Sequence, residues 1–281
     1  MDTPLPSLVL SAPAKVNLTL RVVGKREDGF HELETLMVPV PALADTLTFT
    51  PAEHYTLTCD TPGVPLDESN LVTKAVRAYE AAAGITVTHQ IALQKRIPHG
   101  AGLGGGSSDA ATTLLGLNQL YNTALRFPQL HTLATALGSD VPFFLYQSPC
   151  MCRGRGELIE PLDAAAAFTL CLLKPAFGVS TPDAFKRWKT SRPLAEVPYA
   201  PQHGPYGPMF NDLERPVFEK HLFLAQCKQW LLQQPEVQVA QMSGSGSTML
   251  AVVSNITEGQ ALLERAKAEL DPTLFTWCGE L

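Results

Sequence analysis

Residues 100–111 read GAGLGGGSSDAA, five glycines in the first seven positions followed by two serines, an aspartate and two alanines. Consecutive glycines permit positive φ and let bare backbone come close to another group. Two periodic stretches frame the segment. Val87 to Ile97 alternates as a strand does and stops at Pro98, whereas Ala110, Ala111, Leu114, Leu115, Leu117 and Tyr121 recur at helical spacing. The unit is therefore strand, glycine loop, helix. A helix starting near Ser107 presents unpaired N–H groups and the positive end of its dipole, so the expected occupant is an anion, and phosphate above all. The Ser107 and Ser108 hydroxyls can cap that helix, donate to phosphate or ligate a magnesium ion, and the sequence leaves all three open.

Two familiar phosphate loops fail here. The P-loop ends in Gly-Lys-Ser/Thr, and no lysine lies between Lys95 and the serines. Gly100, Gly102 and Gly105 match the Gly-x-Gly-x-x-Gly spacing of a dinucleotide fold. That fold also expects an acidic residue about 20 positions on to hold a ribose, and none lies between Asp109 and Asp140. A nicotinamide-dependent oxidoreductase is disfavoured accordingly.

Outward from the loop, Val16, Leu18, Leu20 and Val22 alternate with Lys15, Asn17, Thr19 and Arg21, which predicts a half-buried strand with Lys15 and Asn17 on one face. Asp28-Gly29 predicts a turn and Phe30 to Leu36 a returning strand. Residues 46–59 read as further strand. Asn70 is placed to cap a helix that stops at Gly84. Leu130 to Leu137 reads as a short helix closed by Gly138, after which Ser139-Asp140-Val141-Pro142 follows at once. Phe168 to Leu173 reads as a strand, PYAPQHGPYGP at 198–208 as a loop, and the C-terminal part as a strand, a turn Ser243 to Ser247, a strand, a helix from Glu258 to Leu270 and a last strand. A chain of 281 residues suits two domains of roughly 100 to 150 residues each, and the boundary is expected near 157, giving 1–157 and 158–281.

A net charge of −6 argues against a nucleic-acid groove, because phosphate-backbone affinity comes from clustered Lys and Arg. The densest basic cluster, Lys186-Arg187-Trp188-Lys189, is expected to be a solvated face. No apolar run approaches the roughly 18 residues of a membrane span, and no signal-peptide pattern opens the chain, so no membrane partner and a cytoplasmic location are expected. Six scattered cysteines read as reduced thiols, and the Cys150-Met151-Cys152 pair lacks the further ligands of a structural zinc.

Three segments carry a resemblance. Pro13-Ala14-Lys15-Val16-Asn17, the stretch Pro98 to Ala111, and Ser243-Gly244-Ser245-Gly246 resemble, in order, the three motifs of the GHMP small-molecule kinase superfamily, which includes galactokinase, homoserine kinase and mevalonate kinase. Lys25 to His31, the extended GLGGGSSDAA, Leu137 to Phe143 and Asn211-Asp212-Leu213-Glu214 are similar to the branch acting on a cytidine-diphosphate-linked methylerythritol in the non-mevalonate isoprenoid route. The likeness covers nearly the whole chain and is least specific across residues 175–208 and at the C-terminus.

The resemblance implies an α+β, two-domain architecture with the site in an inter-domain cleft, ATP and Mg²⁺ as cofactors, and a small cytidine-linked substrate. Asp140 is implied as the general base that takes the hydroxyl proton, with Lys15 as its catalytic partner. ATP is implied to lie against Asn70, Leu71, Lys95, Pro98 and the loop residues Gly100, Ala101, Gly102, Leu103, Gly104, Gly105, Gly106, Ser107 and Ser108, with Ser107 or Ser108 as candidate metal ligands. The substrate is implied to meet Asn17, Phe30, His31, Asp140, Gly244, Ser245 and Gly246. His31 would read the cytosine edge, while Phe30 stands where the family usually carries tyrosine, keeping a stacking face without a hydroxyl. The rivals are a GHMP kinase for another small alcohol, such as homoserine or mevalonate, and a catalytically silent ligand sensor on the same fold.

Overall fold

Two long strands set the architecture. β1 (Leu8–Lys25) and β2 (His31–Pro51) run for 18 and 21 residues, about 60 and 70 Å at roughly 3.3 Å per residue. They join at the expected turn, where Gly29 takes φ +86° and the Arg26 amide donates to the Phe30 carbonyl at 2.8 Å. The computed structural model, which describes residues 6–121, 123, 125–163 and 166–281, continues with β3 (Thr56–Cys59), α1 (Leu71–Ala83), β4 (His89–Gln94), α2 (Gly105–Tyr121) and α3 (Phe127–Leu137). A 3-10 turn at Pro142–Leu145 leads into β5 (Cys150–Gly154), β6 (Leu158–Pro161), β7 (Thr169–Lys174), α4 (Thr181–Arg187), β8 (Gln202–Gly204) and β9 (Gly207–Asn211). The chain ends with α5 (Glu214–Lys220), α6 (Leu222–Leu232), β10 (Val237–Met242), β11 (Met249–Val253), α7 (Ile256–Glu269) and β12 (Phe275–Glu280).

The chain divides into two units. One takes the residues up to Ala14, Pro39–Ile97 and Gly104–Gln147, and the other takes Lys15–Val38, Pro98–Leu103 and Ser148–Leu281. The single boundary near 157 read from the sequence differs from this division, because β1 and β2 are long enough to supply residues to both units and residues 98–103 group with the second.

In the first unit β4 pairs antiparallel with Thr46–Pro51 of β2 and parallel with β3. α1, α2 and α3 pack on one another, and α1 is capped as expected, the Asn70 side chain accepting from the Val72 amide at 2.8 Å. α2 lies tight against β2 at Gly116, where a methyl group would stand 2.7 Å from the Phe49 ring.

In the second unit β5 pairs antiparallel with Leu33–Met37 of β2 and with β6. Thr19 and Leu20 of β1 run parallel to Phe210 and Asn211 of β9, which hairpins with β8. Residues 198–208, expected as loop, thus hold strand: Gln202–Gly204 pair with Gly207–Met209 across a hairpin in which Gly207 takes φ +96°, and β9 goes on to pair with β1 at Phe210 and Asn211. A separate antiparallel sheet in the order β10-β11-β7-β12 packs against α6 and α7 over a core that includes Leu213, Phe218, Leu224, Leu231, Ala251 and Leu262. No helix among the described residues is long and apolar enough to cross a membrane.

Candidate functional site

The second unit gathers Lys15, the first half of the glycine loop and the 243–247 turn. The Lys15 amide donates to the Leu103 carbonyl at 2.9 Å, the Thr248 amide to the Ala101 carbonyl at 3.2 Å, and the Ser243 hydroxyl to the Gly102 carbonyl at 3.3 Å. Gly100, Gly102 and Gly104 take φ values of +62°, +74° and +72°. At Gly102 a Cβ would stand 2.4 Å from the Ser243 carbonyl and 3.0 Å from that of Gly246. Part of the glycine richness therefore serves an approach of backbone to backbone, a use the sequence reading did not assign to it.

Lys15 and Asn17 are not a solvated face: they are 3% and 2% exposed. The Lys15 ammonium donates to Asn17 Oδ1 at 2.6 Å, a charge-assisted bond. Asn17 Nδ2 donates to Thr35 Oγ1 at 2.8 Å, and the Asn17 amide to Ser243 Oγ at 3.2 Å. Its carbonyl accepts from the buried Gln241 side chain at 3.0 Å. The side chain of Asn17 thus aims the lysine, which leaves it one lone pair on Oδ1 and one N–H on Nδ2 for a ligand. Gly244 sits at this point too, since a Cβ there would be 3.1 Å from Asn17 Oδ1 and 3.4 Å from Lys15 Nζ. Ser245 and Thr181 share a hydroxyl hydrogen bond of 2.7 Å.

An aromatic wall stands in the same unit. The His31 ring stacks on Phe185 with centroids 5.2 Å apart and meets the edge of Trp188 at 6.0 Å. Burial and then the charges of Lys25 and Lys189 hold the His31 imidazole below its ordinary pKa, which favours the neutral ring that can both donate and accept. Phe30 is half exposed and carries the Arg155 guanidinium 4.7 Å over its ring centre. The 186–189 cluster is corrected in part by this wall: Lys186 and Lys189 are exposed, but Trp188 is half-buried against His31. Phe185 and Trp188 were missed, although their three-residue spacing on one short helix, behind the N-cap Ser180, was a usable signal.

The second half of the glycine loop belongs to the first unit. α2 begins at Gly105, two residues before the expected start, so Ser107 and Ser108 lie within its first turn and the capping option for them falls away. Its first intrahelical bond runs from the Ser108 amide to the Gly104 carbonyl at 2.9 Å, which leaves the preceding amides without intrahelical acceptors. Gly105 fits under Ile97, and Leu71 reaches the Gly106 backbone, where a Cβ would stand 3.7 Å from its Cδ1. Ser108 Oγ is buried and has no hydrogen-bond partner. Asp140 is half-buried in the turn that follows α3, just before the 3-10 turn that packs on α2.

Lys95 has a definite place. Its ammonium bridges Asp45 and Asp109, the latter at 2.7 Å. Asp45 also accepts the Arg96 and Ile97 amides at 2.5 and 2.9 Å. Burial pulls the Lys95 pKa down, but the charges of Asp109 and Asp45 outweigh it and the net shift is upward. Asp109 is pushed up to about 7 by burial, against the pull of Lys95 and with the push of Asp45. Its Oδ1 is buried without a hydrogen-bond partner.

The GHMP kinases N terminal domain family matches residues 70–148 of this chain. A 4-diphosphocytidyl-2-C-methyl-D-erythritol kinase of Protochlamydia amoebophila (strain UWE25) is 42% identical over 248 residues, 88% of this chain and 84% of that protein. One of the same name from Methylacidiphilum infernorum (isolate V4) is 40% identical over 270 residues, 93% of this chain and 92% of that protein. A crystal structure of a 4-(cytidine 5'-diphospho)-2C-methyl-D-erythritol kinase superposes with a TM-score of 0.78 at 36% identity, covering 97% of this chain and 98% of that one. A homoserine kinase from Cytophaga hutchinsonii ATCC 33406, at 18% identity and a TM-score of 0.70 over 100% of this chain and 96% of its own, shares the fold.

Proposed function

The chain belongs to the 4-diphosphocytidyl-2-C-methyl-D-erythritol kinases of the GHMP kinase fold, and from that premise we propose that it transfers the γ-phosphoryl of ATP to the 2-hydroxyl of 4-diphosphocytidyl-2-C-methyl-D-erythritol in the non-mevalonate isoprenoid route. The observation that carries the choice of substrate is the wall of His31, Phe185 and Trp188. A cytosine offers a flat face for such rings and an edge of donors and acceptors for a neutral imidazole, whereas homoserine and mevalonate offer neither.

Phosphoryl transfer is dominated by positioning and by neutralising charge. In our reading Asp140 takes the proton of the attacking hydroxyl. Lys15, aimed by Asn17, meets the charge that develops on the oxygens. The backbone amides of residues 100–107 and the start of α2 hold the triphosphate, as glycine-rich helix starts do. Asn70 and Leu71, at the N-terminus of α1, flank the adenine, and Lys95 supports the loop from behind through Asp109. Pro98 opens the loop, and Gly244, Ser245 and Gly246 carry the substrate side.

The residues present fit a nucleotide-bound Mg²⁺: Ser108 Oγ is a buried oxygen with no hydrogen-bond partner at the first turn of α2, a hard donor of the kind that ion accepts, with Ser107 beside it. Such an ion would neutralise charge on the phosphates. No disulfide joins the six cysteines, which suits the reducing cytoplasm as the place of action.

The test is ADP release from ATP and Mg²⁺ with each candidate acceptor in turn. Release is expected with the cytidine-linked methylerythritol and not with homoserine or mevalonate. Release with one of the latter, or with none, overturns the reading.

A further inference from the structure

Asn211-Asp212-Leu213-Glu214 is the one matched segment to which the proposed chemistry gives no task, and the structure shows what it touches. β10 is an edge strand, and the outward peptides near its end find no strand partner. Side chains take that place. Gln202 exchanges two hydrogen bonds with Ala240, at 2.8 and 3.0 Å. Two residues on, Glu214 Oε1 accepts the Met242 amide at 2.9 Å, while Asn211 Nδ2 donates to the carbonyls of Met242 and Gly244, both at 2.7 Å. The Met242 peptide is therefore gripped at both ends, immediately before the turn that meets Gly102 and Lys15.

The grip is itself held. Glu214 Oε2 accepts from Lys228 Nζ at 2.6 Å, and the two side chains are each 2% exposed. Asn211 Oδ1 accepts the Leu213 amide at 2.9 Å, which fixes the amide orientation and so directs both N–H groups at the turn. Asp212, on the other side, accepts the Val22 amide of β1 at 2.8 Å. One short segment thus fastens the 243–247 turn and the strand leading to the Phe30-His31 hairpin.

We infer that Asn211 and Glu214 are positioning residues for the 243–247 turn, with Lys228 as the buried partner that occupies the second carboxyl oxygen of Glu214. This rests on the proposed kinase reading only for its activity readout. A fixed turn keeps the backbone beside Lys15 in one place, and a small misplacement of such groups costs on the order of 10- to 100-fold in turnover.

The test works in a Lys228→Met background, where neither partner leaves a charge behind. Glu214→Leu in that background removes the acceptor for the Met242 amide, and Glu214→Gln restores it without restoring a charge. Turnover of the folded protein and amide hydrogen exchange at residues 242–248 are measured for both. The leucine form is expected to lose about 10- to 100-fold in kcat and to exchange faster across the turn, and the glutamine form to recover both. A purely structural role would lower the melting temperature of the leucine form while leaving kcat of the folded protein equal in the two.

Equal kcat together with equal exchange overturns the inference. If the parent enzyme shows no turnover with the cytidine substrate, the kinase reading fails by itself, and the exchange comparison still decides this one. Should the leucine form fold poorly, Asn211→Ser, which withdraws both donors from the turn, is read in the same two ways.

Discussion

Two buried charge clusters, one in each unit, differ in whether their valences are filled. Glu214 and Lys228 are one acid and one base, and each carboxylate oxygen has a donor, Lys228 on one and the Met242 amide on the other. Lys95 instead faces two acids, Asp45 and Asp109, and one oxygen of Asp109 has no hydrogen-bond partner. The first cluster is complete without any other molecule and serves as a brace. The second has an acid too many, relieved by holding Asp109 partly protonated, and it adjoins Ser108, whose hydroxyl is likewise unfilled.

The widest gap between the two should appear on removing a single acid. Glu214→Leu with Lys228 retained strands a buried ammonium and is expected to cost about 3–5 kcal/mol in chemical denaturation. Asp45→Ala leaves Lys95 paired with Asp109 and chiefly orphans the Arg96 and Ile97 amides, so about 1–3 kcal/mol is expected from the same measurement. A larger loss at Asp45 than at Glu214 would break the comparison.

The smallest effect is one of pH. The folded-state pKa of Asp109 is raised, so the folded protein binds more protons than the unfolded chain between about pH 4 and about pH 7, and this group's contribution to stability falls as pH rises through that window. Asp109→Asn removes that contribution. Its melting temperature relative to the parent should improve from the acid to the neutral end of the window. A constant difference across the window would show that Asp109 titrates as an ordinary exposed carboxyl.

What was legible in the sequence was whatever local chemistry dictates. The alternation from Val16 to Val22, the Asp28-Gly29 turn, the Asn70 cap and the Gly84 stop all stand where expected, because each is fixed by residues within a few positions of itself. Other features depend on distant segments. The burial of Lys15 and Asn17 comes from Thr35, Ser243 and Gln241, and the end of β9 at Phe210 and Asn211 is paired by β1. Asp109 looked like the end of a loop motif, but its environment is made by Asp45, far back in the chain. The divided allegiance of the glycine loop, 98–103 with one unit and 104–108 with the other, has no local signal at all.

The central claim is that Asp140 accepts a proton during phosphoryl transfer. The most direct measurement is the turnover of Asp140→Asn with ATP and the cytidine-linked substrate, alongside its ATP affinity and melting temperature. The account predicts a loss of about 10²- to 10⁴-fold in kcat with affinity and melting temperature close to the parent's. Turnover within a few-fold of the parent would contradict it.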